Sequence, residues 1–442
     1  MPRSKPTAQT SARLVLLICA LSIVFEGYDM VAYGVTLPSM LADPSWGLST
    51  EYAGVVGSYA LIGMLAGSIA CGAVSDLVGR RWLMIGSTAW YSLWTGVCAL
   101  APDATLFGVA RFMVGFGVGA LIPLAAAMAV EFAPKGRAHA HSAVVWAGYP
   151  AGGVLASLLG LWVVDAFGPR AMYAIGTIPL ILFVPLMVRH LPESPSLLLA
   201  RGRQAEAFAV ADAAGIDRPL PPMADERTGP RGLFTRRLWL TTVLMGVLSA
   251  CGLMLTYGLN TWLPKIMEST GFGSGSALGF LLALNAGAIL VPIVVSRASD
   301  RIGAQVVTAG TLAAAAVAII VLSTHAPIGL LYVMAFVAGA GTIGAQVLIY
   351  GFAAASFPAS CRAAGTAWTA SVGRIGGIAG PTLVGLVIAG GSVSPAFYLF
   401  AGVACFGAVV SLLVPRRREL RAPAASAAPT AAEPTLAADP GR

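Results

Sequence analysis

The chain has 442 residues, of which 57% are hydrophobic and only 10% charged, with a mean hydropathy of +0.81. Soluble domains carry about a quarter of their residues as charges, so a soluble enzyme or binding module is excluded and a polytopic membrane protein is implied. The net charge of +8 belongs to the loops between apolar segments, and nucleic-acid binding has no support.

Apolar segments fall, in chain order, at 14–38, 51–75, 82–101, 105–130, 140–164, 171–189, 237–262, 276–299, 303–322, 326–351, 362–389 and 395–414. Each is near the roughly 20 residues that a helix needs to cross the hydrocarbon. The prediction is an all-α membrane protein with twelve transmembrane helices; no strand-like alternating pattern suggests a barrel. The first segment starts basic and continues "LVLLICALSIVF", as a signal peptide would. No small-residue cleavage site precedes its carboxylates, however, and the run continues to full spanning length.

Within that first segment, "FEGYDMVAYG" at 25–34 places Glu26 and Asp29 one helical turn apart, on one face. Gly27 between them allows close backbone approach. After the second segment comes "GAVSDLVGRR", 72–81, where Gly72 and Gly79 let the helix ends approach tightly. Asp76 there can cap the next helix or pair with Arg80 or Arg81. The fourth segment holds "RFMVGFGVGALIP", a small-residue face that begins at Arg111. From 190 to 236 Pro, Arg, Asp and Gln replace apolar runs, which marks a cytoplasmic linker between a first half, 1–189, and a second, 237–414. The second half ends its first span with "YGLNTWLP", carries Asp300 at a helix end and holds Arg374 in "RAAGTAWTASVGRIGGIAGP". The tail, 415–442, is rich in Ala, Pro and Glu without periodicity and reads as disordered and cytoplasmic.

Orientation follows from the basic residues. All of the 27 Lys and Arg except Arg111, Arg170, Lys265 and Arg374 fall at one side of this segmentation, so 23 lie there and both termini should be cytoplasmic. The six cysteines are dispersed, without a C-x-x-C pair or nearby His partners. They read as packing residues, with no metal site and no cofactor.

The halves repeat. At an offset of 224, Phe112, Gly115, Gly117 and Pro134 meet Phe336, Gly339, Gly341 and Pro358. Tyr33-Gly34 meets Tyr257-Gly258, Gly152-Gly153 meets Gly376-Gly377, and "SDLVG" at 75–79 meets "SDRIG" at 299–303. One offset shared by separated regions is what duplication of a six-helix unit leaves, as in transporters built from parallel repeats.

Glu26, Asp29, Arg111 and Arg374 are the charges well inside predicted spans. A lone central charge costs about 2.5–3.5 kcal/mol on insertion scales, so these four must face one another or water. A purely structural ion network would explain them, but buried pairs are weak stabilisers because desolvation offsets attraction. Intramembrane ionisable groups more often mark an ion or substrate path. Tyr33, Trp146, Tyr149, Tyr257, Asn260, Asn285 and Gln346, at similar depth, offer ring faces and amide groups for a small molecule. Each serves equally as packing or interfacial material.

"GAVSDLVGRR" resembles the loop between helices 2 and 3 of the major facilitator superfamily, as does "LPESPSLLLARGR", 191–203, the end of its helix 6. That resemblance implies that Gly72, Asp76, Gly79, Arg80, Arg81 and, in the repeated loop, Asp300 latch the halves in one access state. Taken together, "EGYDMVAYG", "RFMVGFGVGALIP", "YGLNTWLP" and "RAAGTAWTASVGRIGGIAGP" resemble the aromatic acid:proton symporter family over nearly the whole chain. By that resemblance Asp29 is the proton-linked carboxylate, which Glu26 shares or tunes, Arg111 its neighbour, and Arg374 the arginine for the substrate's carboxylate. The family usually begins its helix 1 motif with Asp; Glu26 departs from it.

The implied activity is proton-coupled import of an aromatic carboxylic acid through the inner membrane by a lipid-embedded monomer. An incoming carboxylate leaves excess negative charge unless a proton accompanies it, and a nearby anion favours a protonated carboxyl, so proton and substrate should bind cooperatively. The alternatives are a facilitator for a sugar or organic ion, or a proton-driven effluxer. No catalytic constellation or P-loop suggests an enzyme or an ATP-driven pump.

Overall fold

The computed structural model describes residues 11–219, 230–358 and 361–415. Among them there are helices and no strands. In chain order they are α1 (Ala12–Ala42), α2 (Thr50–Val78), α3 (Arg80–Leu100), α4 (Ala104–Glu131), α5 (Ala138–Phe167), α6 (Pro169–Ile175) and α7 (Val184–His190). A linker pair follows, α8 (Pro195–Ala200) and α9 (Gln204–Ala214). The remainder are α10 (Trp239–Ser269), α11 (Ser274–Ile302), α12 (Ala304–Leu322), α13 (Ile328–Gly341), α14 (Ile343–Ser356), α15 (Arg362–Ala389) and α16 (Ser394–Leu413).

Short polar residues start several of these helices. Ser11, Ser49 and Asp103 accept the backbone N–H groups of Leu14, Tyr52 and Leu106 at the heads of α1, α2 and α4, satisfying donors that have no intrahelical partner. Gly79 and Gly303, which end α2 and α11, have φ of 103° and 97°, a region that disfavours any residue with a Cβ. The repeated "SD-x-x-G" therefore makes the same turn twice.

Ten helical stretches among the described residues are long and apolar enough to cross a membrane, with α6–α7 and α13–α14 each counted as one. In α11 the apolar portion is Ser274–Leu290. Two of the stretches are irregular. A π-helical turn, Pro179–Phe183, joins α6 to α7, because Pro179 and Pro185 remove backbone donors there. Thr342, at φ −115° and ψ −75°, separates α13 from α14. Large apolar side chains such as Leu100, Trp162, Phe167 and Ile181 point outward, as suits a chain whose surroundings are lipid. The stretch expected as a linker, 190–236, includes α8 and α9; its residues 220–229, the first ten residues and 416–442 of the expected tail lie outside the described set.

The sequence repeat reappears as matched helix crossings. A Cβ at Gly115 would fall 1.9 Å from the Ala60 carbonyl oxygen, and one at Gly339 1.7 Å from that of Leu284. Likewise Gly63 meets the Phe112 carbonyl and Gly287 the Phe336 carbonyl. Every one of these pairs is related by the same offset of 224 residues. In lipid there is no hydrophobic drive between helices, so small residues that let backbones touch supply much of the packing. Helices α1–α7 pack mainly among themselves, and so do α10–α16. The two groups meet along three seams, α2 with α15, α5 with α11 and α1 with α10.

Candidate functional site

Two of the four intramembrane charges form a closed pair inside the first group. Arg111 Nη1 donates to Asp29 Oδ2 at 2.6 Å and lies 3.3 Å from the Asp29 carbonyl oxygen. Thr95 on α3 donates its hydroxyl to Asp29 Oδ1 at 3.2 Å. The Tyr33 ring lies 5.5 Å from the Arg111 guanidinium carbon, and the ion pair is almost fully buried. Charge-assisted bonds of this length in a dry setting are strong, and losing one partner leaves a stranded ion.

Glu26, one turn earlier on α1, is equally buried but has no hydrogen bond or ion pair among the described residues. Its direction is set by glycines. A Cβ at Gly27 would fall 2.1 Å from the Tyr149 carbonyl oxygen, so α1 lies directly on α5 and brings Glu26 beside Tyr149. Arg374 and Asp29 are within electrostatic reach of its carboxylate.

Arg374 crosses a seam. From α15 its Nη1 donates to the Met64 carbonyl at 2.7 Å and to Ser68 Oγ at 2.8 Å, both on α2. Around this level the Tyr149 and Tyr257 rings meet edge to face at 6.1 Å, and Trp146 and Tyr350 are tilted together at 5.9 Å. Both aromatic pairs join one helix group to the other. Gln346 Nε2 donates to Ser249 Oγ at 2.9 Å, while its Oε1 and the Tyr149 hydroxyl are buried without a partner among the described residues.

This arrangement is a belt of rings and unpaired polar groups between two helix groups, with an arginine and a carboxylate facing it. The Major Facilitator Superfamily profile matches residues 19–381 and 272–438. The chain belongs to the major facilitator superfamily. It is 35% identical to the gentisate transporter of Corynebacterium glutamicum over 88% of this chain and 84% of that protein. With the benzoate transport protein of Acinetobacter baylyi it shares 30% identity over 91% of this chain and 90% of that one. Its fold matches the inward-open xylose transporter XylE from E. coli with a TM-score of 0.72 at 17% identity, covering 91% of this chain and 96% of that chain. The protein is a multi-pass transporter of the inner membrane and not an enzyme.

The transporter brings Glu26, Arg374, Trp146, Tyr149, Tyr257 and Gln346 to one level. It keeps three other candidates apart. Tyr33 turns into the first group, donating to the Ala53 carbonyl at 2.7 Å and stacking on Phe107. Asn285 donates to Asn260 Oδ1 at 3.0 Å and packs its own Oδ1 against Gly153 of α5. Two residues not among the sequence candidates take part: Tyr350 joins this level through Trp146, and Thr95 contacts Asp29 inside the first group. Tyr350 had one signal, its i+4 spacing from Gln346; Thr95 had none within its apolar run.

At the α2–α3 turn the expected pairing is corrected. The Asp76 side chain is exposed and makes no hydrogen bond or ion pair among the described residues. Arg80 instead pairs with Glu131 at the end of α4, which Ser194 also reaches with its hydroxyl. Arg81 donates its backbone N–H to Glu193 at 3.1 Å and its side chain to the Val188 carbonyl at 2.7 Å. Two well-placed carboxylates outcompete Asp76 because the turn at Gly79 carries both arginines toward α4 and the start of the linker. Arg201 donates to the Leu77 carbonyl at 3.1 Å. Gly72 faces open space, and the Asp300 side chain lies outside the described residues.

Proposed function

We propose that this transporter imports an aromatic carboxylic acid together with a proton by alternating access. The observation that carries the reading is that Arg374 of the second group, docked on α2 of the first, lies within electrostatic reach of the buried Glu26, while the ring pairs Trp146–Tyr350 and Tyr149–Tyr257 join the two groups. A guanidinium suits a carboxylate because its fork matches two oxygens, and ring faces at the same depth suit an aromatic body. The relatives named for gentisate, benzoate and 3-(3-hydroxy-phenyl)propionate support the substrate class. The matching fold of a D-xylose-proton symporter supports the coupling ion.

In this reading α6–α7 and α13–α14 each form one span, which with α3 and α11 makes twelve, and the distribution of Lys and Arg supports cytoplasmic termini. The halves, 1–189 and 237–414, rock about the site as rigid bodies joined by 190–236, with 415–442 as a cytoplasmic tail. The monomer suffices, no cofactor takes part, and the coupling species is H+. The turn at Gly72, Asp76, Gly79, Arg80 and Arg81, with its repeat at Asp300, gates the cycle. Asn260, Asn285 and Tyr33 hold the helices around the site.

The test is uptake into proteoliposomes of radiolabelled gentisate, benzoate, 3-(3-hydroxy-phenyl)propionate and xylose, each with and without an inward proton gradient. Gradient-driven accumulation of at least one acid is expected. Accumulation of xylose alone, or efflux driven by the gradient, would overturn the reading.

A further inference from the structure

The two carboxylates of α1 have unlike surroundings, and the geometry points to Glu26 as the group that takes the proton, with Asp29 held permanently as the counter-ion of Arg111. This rests on the proposed symport and names the residue that couples it.

Asp29 is already engaged. One oxygen takes the Arg111 guanidinium at 2.6 Å, and the other lies 3.2 Å from the Thr95 hydroxyl, which also reaches the Tyr91 carbonyl at 2.9 Å. Protonating it would strand a buried guanidinium whose Nε already has no partner, and nothing else among the described residues accepts from Arg111. A stranded buried ion is among the costliest defects in a protein interior. The pair also faces α3 and α4 inside its own helix group, away from the seam at which Arg374 sits.

Glu26 differs in each respect. It is buried, has no hydrogen bond among the described residues, and lies within electrostatic reach of Tyr149 of the first group and of Tyr257 and Arg374 of the second. The titratable and charged groups facing it are Asp29 on its own helix, Tyr91 on α3, Tyr149 on α5, Tyr257 on α10, Tyr350 on α14 and Arg374 on α15. The phenols stay neutral across the working range of a cell. Arg374 is the one cation among these groups, and it is also the group suited to a substrate carboxylate.

The exchange balances. In the empty, deprotonated site Glu26 and Asp29 are negative, Arg374 and Arg111 positive. An incoming carboxylate replaces Glu26 as counter-ion of Arg374; one proton from the supplying side adds to a Glu26 oxygen, forming an O–H bond. No other bond changes, and the loaded site carries the same net charge as the empty one. A ligand that binds only when the proton has bound must in turn favour protonation by the same factor. One proton then moves with each monovalent anion, and transport carries no net charge.

The experiment compares wild type, Glu26→Gln, Glu26→Asp and Asp29→Asn in proteoliposomes, using the panel acid that wild type accumulates most. Gradient-driven accumulation and gradient-free counterflow are measured from pH 5 to 8. Glu26→Gln is expected to lose at least tenfold in accumulation while retaining measurable counterflow, with a counterflow rate flat in pH. Glu26→Asp is expected to restore coupling, and Asp29→Asn to lose counterflow and accumulation together. Glu26→Gln that still concentrates the acid in response to the gradient would overturn the assignment, as would Asp29→Asn that loses only the gradient response. A wild-type protein that accumulates no panel acid overturns the parent reading and this assignment with it; failure confined to the Glu26 variants bears on the assignment alone.

Discussion

The two helix groups are built on one plan and filled differently. At the offset of 224, Asp29 corresponds to Leu253, Arg111 to Ala335 and Glu26 to Ala250. In the other direction, Arg374 corresponds to Pro150, Gln346 to Ile122 and Asn285 to Leu61. The glycine–carbonyl crossings are shared, but the intramembrane carboxylates lie in the first group and the amides in the second. Backbone packing is thus a property of the repeat, and chemistry a property of each copy. The copies also differ in continuity: α4 runs unbroken through Arg111, whereas its counterpart is interrupted at Thr342.

The strongest way to break this comparison is to remove the ion pair from the first group. Arg111→Ala should lower stability by about 3–5 kcal/mol, since it leaves Asp29 as an uncompensated buried charge. Combining Asp29→Leu with Arg111→Ala copies Leu253 and Ala335 of the second group and should recover most of that loss while transport stays absent. Thermal unfolding in detergent measures both. A double variant no more stable than the single would mean that the first group needs the pair for its packing.

A smaller effect tests the shared scaffold. Gly63→Val and Gly287→Val both drive a side chain into a carbonyl, of Phe112 and of Phe336, and each should cost about 1–3 kcal/mol by overpacking. Similar penalties in the two variants, read as the shift in melting temperature, would confirm equivalent crossings; a large inequality would show that the break at Thr342 lets the second group yield.

Smaller again, Arg374→Lys keeps the charge but loses the planar fork, and should weaken substrate binding at least tenfold, about 1.4 kcal/mol, with the fold intact. Equilibrium binding by scintillation proximity checks it, and unchanged affinity would remove Arg374 from the site. Asp76→Asn, on an exposed side chain, should change stability by less than about 0.5 kcal/mol. It should leave substrate binding within about tenfold and alter the transport rate. Unaltered transport would assign gating to the Glu131 and Glu193 contacts of Arg80 and Arg81 instead.

Much of this was readable from periodicity. Long apolar runs separated by short polar turns define helices with few alternatives, and the offset of 224 survived because glycines at backbone crossings have no substitute. The four intramembrane charges stood out because lipid makes them expensive. What stayed hidden depends on contacts distant in sequence. Nothing near Arg374 announces that it reaches Met64, 310 residues away, and nothing in "SDLVGRR" says that Glu131 and Glu193 outcompete Asp76. Tyr350 was obscured by the apolar stretch around it. The interruption at Thr342 arises where Gly341 packs against the Thr311 carbonyl, a feature of the crossing and not of local propensity.

The docking of Arg374 on α2 has a consequence for leakage. Any rearrangement that parts α15 from α2 at this level takes both the Met64 carbonyl and Ser68 Oγ away from Nη1. Hydrogen bonds to a charged group contribute about 1.5–3 kcal/mol each, so an unladen protein that opens here loses two acceptors and is left with Glu26 as the counter-ion of Arg374. A carboxylate bound at the guanidinium replaces them. The same side chain that favours cargo therefore discourages idle cycling, and slippage should rise in any variant that shortens it.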